Sequence, residues 1–306
     1  MPRLVVTRSI EIAAPVEKVL PLIRDFREWP RWSPWLVAEP ETQLQFADDG
    51  KYYRWEGTVT GTGEVRMTEE TDRELSMDLT FIKPFPAKNR TGFQWEATAE
   101  GTRVTWSMEG SLPFFMFFMV KSMEAYVGGD FMRGLMMLKD CAEWGRVPSR
   151  VEFLGVQSFT GADYVGRRQR CAIAEIGPNA SEDARVLNAW VASRNLKVTG
   201  SPLMICERWD MVRGQCEYTM AVQVDPGPDP LPEGFFQGEL PPCRTYDVRH
   251  TGAYRHLANA WTSGVMHSRA GRFKMKRGIA PFESYENDPR EVAEEETITV
   301  IHFPAR

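Results

Sequence analysis

Over residues 5–12 the chain alternates, with Val6, Arg8, Ile10 and Ile12 on one face and Thr7, Ser9 and Glu11 on the other, well enough for the two-residue period of a strand. Residues 13–15 end it. The spacing of Val16, Val19, Leu20, Ile23 and Phe26 then predicts a helix, with Pro15 placed where a missing N–H costs nothing. Strand-like stretches follow around 51–60, 63–70, 73–82, 91–99 and 102–110, joined by turns such as Asp48-Asp49-Gly50 and Glu100-Gly101. Met116, Met119, Met123, Tyr126 and Val127, and past Gly128-Gly129 also Phe131, Leu135, Leu138 and Ala142, carry the 3.6-residue period of a long closing helix. Gly145 and Pro148 then break the pattern, which sets a first domain over 1–146 and a second over 151–306. The first is predicted as an antiparallel sheet wrapped around a helix.

In the second domain the pattern predicts strands near 151–159 and 169–176, a helix over 181–195, and strands near 202–209 and 216–224. After a Pro-rich break at 225–234 the order returns: strands near 235–240 and 243–250, a helix over 254–268, and strands near 281–286 and 295–303. Asn188-Ala189-Trp190 in the first helix recurs as Asn259-Ala260-Trp261 in the second, 71 residues later. A repeat this short cannot bury its apolar face alone, so the two copies are expected to pack into one domain with a shared groove. The duplication is not chemically symmetric: the second copy has Glu283 where the first has Met204.

Composition narrows the function classes. The chain has 306 residues, 42% hydrophobic and 26% charged, which is ordinary for a globular protein. Net charge is −5, with 18 basic against 22 acidic residues in 1–146 and 19 against 20 in 147–306, so no electrostatic footprint for DNA or RNA exists and direct nucleic-acid binding is not expected. The longest apolar run, 112–120, is far short of the roughly 20 residues a membrane span needs. It is assigned to a core, a cavity wall or a lid. No secretory signal opens the chain, and the expectation is a cytoplasmic protein. Five scattered cysteines read as free thiols, and four histidines without ligand spacing give no metal site; no cofactor is expected. The first domain contains no histidine, which excludes an imidazole-based hydrolytic centre there.

The residues 9–15 (SIEIAAP) with Val19, the Trp-rich 25–35 (DFREWPRWSPW), 102–110 (TRVTWSMEG), and Asp130, Phe131, Gly134, Leu135, Leu138 and Lys139 resemble the START-like, or SRPBCC, superfamily in its polyketide cyclase/dehydrase-like branch. The resemblance implies an α+β helix-grip fold with an apolar cavity for lipids, polyketides or other hydrophobic molecules, although fold does not fix function. Trp55, Trp95, Trp106, Phe114, Met119 and Met123 are its candidate lining, with plain core packing as the alternative reading of the same residues.

In the second domain, 250–254 (HTGAY) and 282–289 (FESYENDP), with Glu296-Thr297 and the final strand, resemble a GyrI-like domain, the duplicated α+β effector-binding module also attached to AraC-type and MerR-type activators. The resemblance implies an acid at Glu283 in a central pocket among aromatics, binding cationic lipophilic ligands or acting as a catalytic acid in hydrolytic relatives. The residues agree with it: Glu283 and Tyr285 share one face of a strand, and Trp190, Trp209 and Trp261 can supply the aromatic walls that attract a cation. Three functions follow as expectations. The leading one is a binder that senses or sequesters hydrophobic or cationic small molecules. The second is a hydrolase of strained or electrophilic compounds with Glu283 as acid/base and Tyr285 as its partner, and the third is a protein-interaction regulator of the gyrase-inhibitor type.

Overall fold

A computed structural model describes residues 2–225 and 230–306, so the predicted break at 225–234 lies, for 226–229, outside the described residues. The fold is α+β. Contacts divide the chain into two compact units: Met1–Pro148 with Arg255–Ala270, and Ser149–Tyr254 with Gly271–Arg306.

The first unit opens with β1 (Arg3–Ile12) and α1 (Val16–Arg24), continues through β2 (Gln43–Phe46), β3 (Tyr52–Glu56), β4 (Thr62–Glu70), β5 (Glu74–Lys83), β6 (Ala87–Thr98) and β7 (Gly101–Ser111), and ends in α2 (Val120–Trp144). The strands form one antiparallel sheet in the order β1-β7-β6-β5-β4-β3-β2. The first and last strands pair from Arg3 with Ser111 to Ile12 with Thr102. Helix α2 packs on β1 and β7, and the core forms between helix and sheet around Phe26, Trp32, Phe93, Trp106, Phe131 and Leu135. Gly134 permits the close approach of the helix, because a Cβ there would meet the Trp106 ring at 2.9 Å and Pro34 at 3.2 Å. Two predicted helix boundaries shift, and one strand was not predicted. Residues 26–31 tighten into a 3-10 turn, whose entry Asp25 caps by accepting the Arg27 N–H at 2.9 Å. Residues 114–119 form a second 3-10 turn before α2. Strand β2 is short and half-wet, so it carried no alternation to read.

The second unit contains β8 (Ser149–Phe159), β9 (Ala162–Ala172), α3 (Ile176–Ser193), β10 (Leu203–Asp210), β11 (Gln215–Gln223), β12 (Phe236–Leu240), β13 (Cys243–Gly252), β14 (Phe282–Tyr285) and β15 (Ile298–Ala305). Between β13 and β14 the chain forms α4 (Leu257–Arg269), which groups by contacts with the first unit. The eight strands form one sheet in the order β12-β9-β11-β10-β14-β15-β13-β8. This order is symmetric about the β10–β14 seam: β9, β10 and β11 match β13, β14 and β15, and the first strand of each repeat, β8 or β12, pairs with the other copy. At the seam, Met204 lies directly opposite Glu283. Helix α3 starts five residues earlier than predicted, since Pro178 falls in its first turn, where proline is accepted. It covers the face that carries Met204, Tyr218, Met220 and Tyr285, with Leu187, Trp190 and Val191 facing in. The opposite face packs Tyr164, Leu203, Ile205 and Phe282.

Candidate functional site

Strand β14 places Glu283 at the centre of the eight-stranded sheet, flanked by Met204 on β10 and Ile301 on β15. Its side chain is 1% exposed. A carboxylate this deep must be hydrogen-bonded to be tolerated, and Tyr285, two residues on and on the same face, donates its phenol to Glu283 Oε2 at 2.6 Å. Burial pushes the Tyr285 phenol well above its usual range, and the Glu283 charge and hydrogen bond push it further, so it stays a donor. Burial likewise raises the Cys206 thiol and the Tyr254 phenol, with Glu283 adding to both, which marks these groups as its neighbours. The Tyr254 ring meets the Tyr285 ring edge-on at 6.2 Å and is itself 40% exposed. Trp190 on α3 belongs to the cluster that holds Met204 and Tyr285 and packs on Phe235 at 5.3 Å. Its buried indole N–H has no hydrogen-bond partner among the described residues. The arrangement is a buried carboxyl with a phenol donor fixed on it, set among aromatic and thioether surfaces.

The remaining sequence-derived residues are not gathered there. Trp209 lies past the β10 bulge, 47% exposed, with its indole N–H on Met211 Sδ at 2.9 Å, and stands outside the cluster. Trp261 lies on α4, which groups with the first unit. In the first unit, Trp106 is enclosed by protein: Phe131 stacks on it at 4.1 Å and 7°, Phe93 at 4.9 Å, and its N–H donates to Thr91 Oγ1 at 3.1 Å. Trp95 is held by its N–H on the Asp72 carbonyl at 3.0 Å, and Trp55 packs edge-on to Phe81 at 5.9 Å. Met119, the last residue of the 3-10 turn, and Met123, in the first turn of α2, are half-buried. Phe114 is 78% exposed, so its ring does not lie in a core.

Two polar networks had no sequence signal. On the face opposite Glu283, His302 Nδ1 lies 2.9 Å from Asp247 Oδ1 and its Nε2 2.9 Å from Ser284 Oγ, the outline of a nucleophilic triad. Ser284, however, donates its hydroxyl hydrogen to Glu286 Oε1 at 2.7 Å, so that proton points to a carboxylate and not to the imidazole. In the first unit, Asp140 on α2 accepts from Arg255 at 3.0 Å and lies 2.6 Å from His256 Nε2, while Arg133 bonds Asn259 at 2.7 Å. These contacts join residues more than 100 positions apart, which no periodicity reveals.

A helix-grip sheet followed by a duplicated sheet with a buried acid at its seam defines a two-domain protein of the small-molecule-binding α+β class. The family comparisons agree with that order. Residues 3–143 match the family described as polyketide cyclase / dehydrase and lipid transport, and residues 163–306 match the GyrI-like small molecule binding domain, one after the other along the chain. No curated protein matched the chain. Among solved structures it is similar to the EcmrR C-terminal domain (13% identity, 52% of this chain and 98% of that one, TM-score 0.41). It is also similar to SAV2435 bound to tetraphenylphosphonium (16%, 51% and 94%, 0.41) and to CalU16 from Micromonospora echinospora (14%, 45% and 72%, 0.31). No helix among the described residues is long and apolar enough to cross a membrane.

Proposed function

We propose that the second unit, within a domain spanning 151–306, binds lipophilic cations at Glu283 and that the protein senses or sequesters such compounds in the cytoplasm. The observation that carries the reading is the 1% exposed carboxylate paired to Tyr285 beside the Trp190 cluster. Burying an acid costs stability that apolar side chains of similar size would not, and a cationic guest offsets that cost. The aromatic rings add cation–π attraction, and the unpaired Trp190 N–H offers one donor to the guest or to a water. In the first unit the tight stacking of Trp106 favours the core reading of the tryptophans over a cavity wall.

The test is calorimetric titration with methyltriphenylphosphonium and with neutral triphenylphosphine oxide, of similar shape. A unit charge about 5 Å away at an effective dielectric constant of about 20 is worth roughly 3 kcal/mol. Glu283→Gln is therefore expected to weaken the phosphonium by about two orders of magnitude and leave the phosphine oxide unchanged. Equal affinity of wild type and variant for the cation refutes the proposal. The same acid–phenol pair is the arrangement a hydrolase would use for proton transfer. Turnover of a strained cyclopropane substrate that vanishes in Glu283→Gln would assign catalysis to the site instead of storage.

A further inference from the structure

Four phenylalanines within five residues face solvent just before α2: Phe114 at 78% exposure, Phe115 at 73%, Phe117 at 62% and Phe118 at 70%. They ride on the 3-10 turn Phe114–Met119, none of whose residues is buried. A fifth ring, Phe85, 81% exposed, sits at the tip between β5 and β6. The sheet register brings both segments to one end of the first unit. Strands β6 and β7 pair Arg90 with Glu109, and Asn89 Oδ1 lies against Gly110, so continuing the ladder sets the hairpin tip beside the residues that follow β7. At about 200 Å² per ring, these five side chains expose roughly 700 Å², beyond the largest apolar patch usual for a soluble monomer.

The charges around this patch are one-sided. The two segments, 83–88 and 111–121, contain Lys83, Lys88 and Lys121 and no acidic residue, in a chain whose net charge is −5. All three lysines are exposed, and none is in an ion pair among the described residues. Exposed aromatic rings rimmed by lysines are complementary to an anionic lipid surface: the rings enter the boundary between headgroups and acyl chains, and the ammonium groups meet the phosphates. A second copy of the chain would bring the same three lysines against each other, which the charge pattern disfavours.

We infer that this end of the first unit docks on anionic membrane surfaces, with Phe114, Phe115, Phe117, Phe118 and Phe85 as the inserted wedge and Lys83, Lys88 and Lys121 as the headgroup contacts. The docking is peripheral, consistent with the lack of a spanning helix among the described residues, and independent of ligand binding at Glu283.

Vesicle flotation with the full chain tests it, using phosphatidylcholine alone and phosphatidylcholine with phosphatidylglycerol at low ionic strength. Wild type is expected to float with the anionic vesicles and to be released by salt. The Phe117→Ser/Phe118→Ser variant is expected to bind at least tenfold more weakly. Lys83→Gln/Lys88→Gln/Lys121→Gln is expected to lose about a hundredfold, roughly fivefold per lysine. Phe118→Trp should be quenched by brominated lipid, which locates the ring in the bilayer. Wild type that stays in the bottom fraction with both vesicles overturns the inference. Concentration-dependent dimerisation abolished by the Phe→Ser pair, without flotation, overturns it in favour of a second copy.

Discussion

Trp106 decides whether the space between α2 and the sheet of the first unit is core or cavity. Its indole is 3% exposed, stacked on Phe131 at 4.1 Å and Phe93 at 4.9 Å, with its N–H on Thr91 Oγ1. Truncating a buried tryptophan to alanine costs roughly 3–5 kcal/mol, and two aromatic pairs add about 1 kcal/mol. Trp106→Ala is therefore expected to destabilise the unit by about 5 kcal/mol, a large share of a domain's usual 5–15 kcal/mol. Trp106→Phe keeps a stacked ring and leaves the Thr91 hydroxyl donating to the Ser107 carbonyl at 2.7 Å, so its cost is about 2 kcal/mol. Native-state hydrogen exchange of the β6 and β7 amides, read with urea unfolding of the full chain, measures both because protection there reports opening of this sheet. If Trp106→Ala costs less than about 1 kcal/mol, the indole lines a space the protein leaves unfilled, and the core reading is refuted.

Two further outcomes follow from buried charges. Burial alone would raise the Glu39 carboxyl, but the Thr60, Thr58 and Val59 amides and the Thr58 hydroxyl outweigh it and hold it at about 2, below its ordinary 4.5. A depressed carboxylate stabilises the fold above its unfolded value, here by about 3 kcal/mol, and that stabilisation is lost as pH falls from about 4.5 to about 2. Unfolding of wild type and Glu39→Gln across that range should show the gap closing, and a constant gap contradicts the assignment. Asp140→Asn removes the carboxylate that Arg255 and His256 share and is expected to cost about 3 kcal/mol, with amides of α4 exchanging faster. Unchanged exchange in α4 would show that the pair does not anchor it.

What could be read from the chain was what repeats locally. Strands with one wet face, such as β1 and β7, announced themselves by alternation, and Glu283 and Tyr285 shared a face because side chains two apart in a strand do. The seam was legible as well: the missing acid at Met204 turned out to lie directly opposite Glu283. Strand β9 begins seven residues before its predicted start, because the stretch 162–168 carries Gly166 and the polar pair Arg167-Arg168 and shows no clean alternation, although β11 and β12 flank it on either side. The 112–120 run misled in the other direction. Its composition reads as interior, yet 3-10 geometry before α2 turns four of its rings outward.

Helix α4 shows why the rest stayed hidden. Hydropathy gives its Trp261 the inward role, but the residues it buries are Asn259, Ala260, Ser263, Gly264 and His267, a stripe that is small and polar. Such a stripe is ordinarily wet, because burying an amide or imidazole without partners costs more than burying nothing. Here the partners exist, but they come from distant sequence: Arg133 for Asn259 at 2.7 Å, and the Ala38 carbonyl for His267 Nε2 at 2.6 Å. Periodicity reports which side chains share a stripe, and transfer energies rank stripes for burial only when the receiving surface is featureless. When that surface carries matched donors and acceptors the ranking inverts, so a family resemblance can place the helix in the duplicated domain while its hydrogen bonds tie it to the first unit.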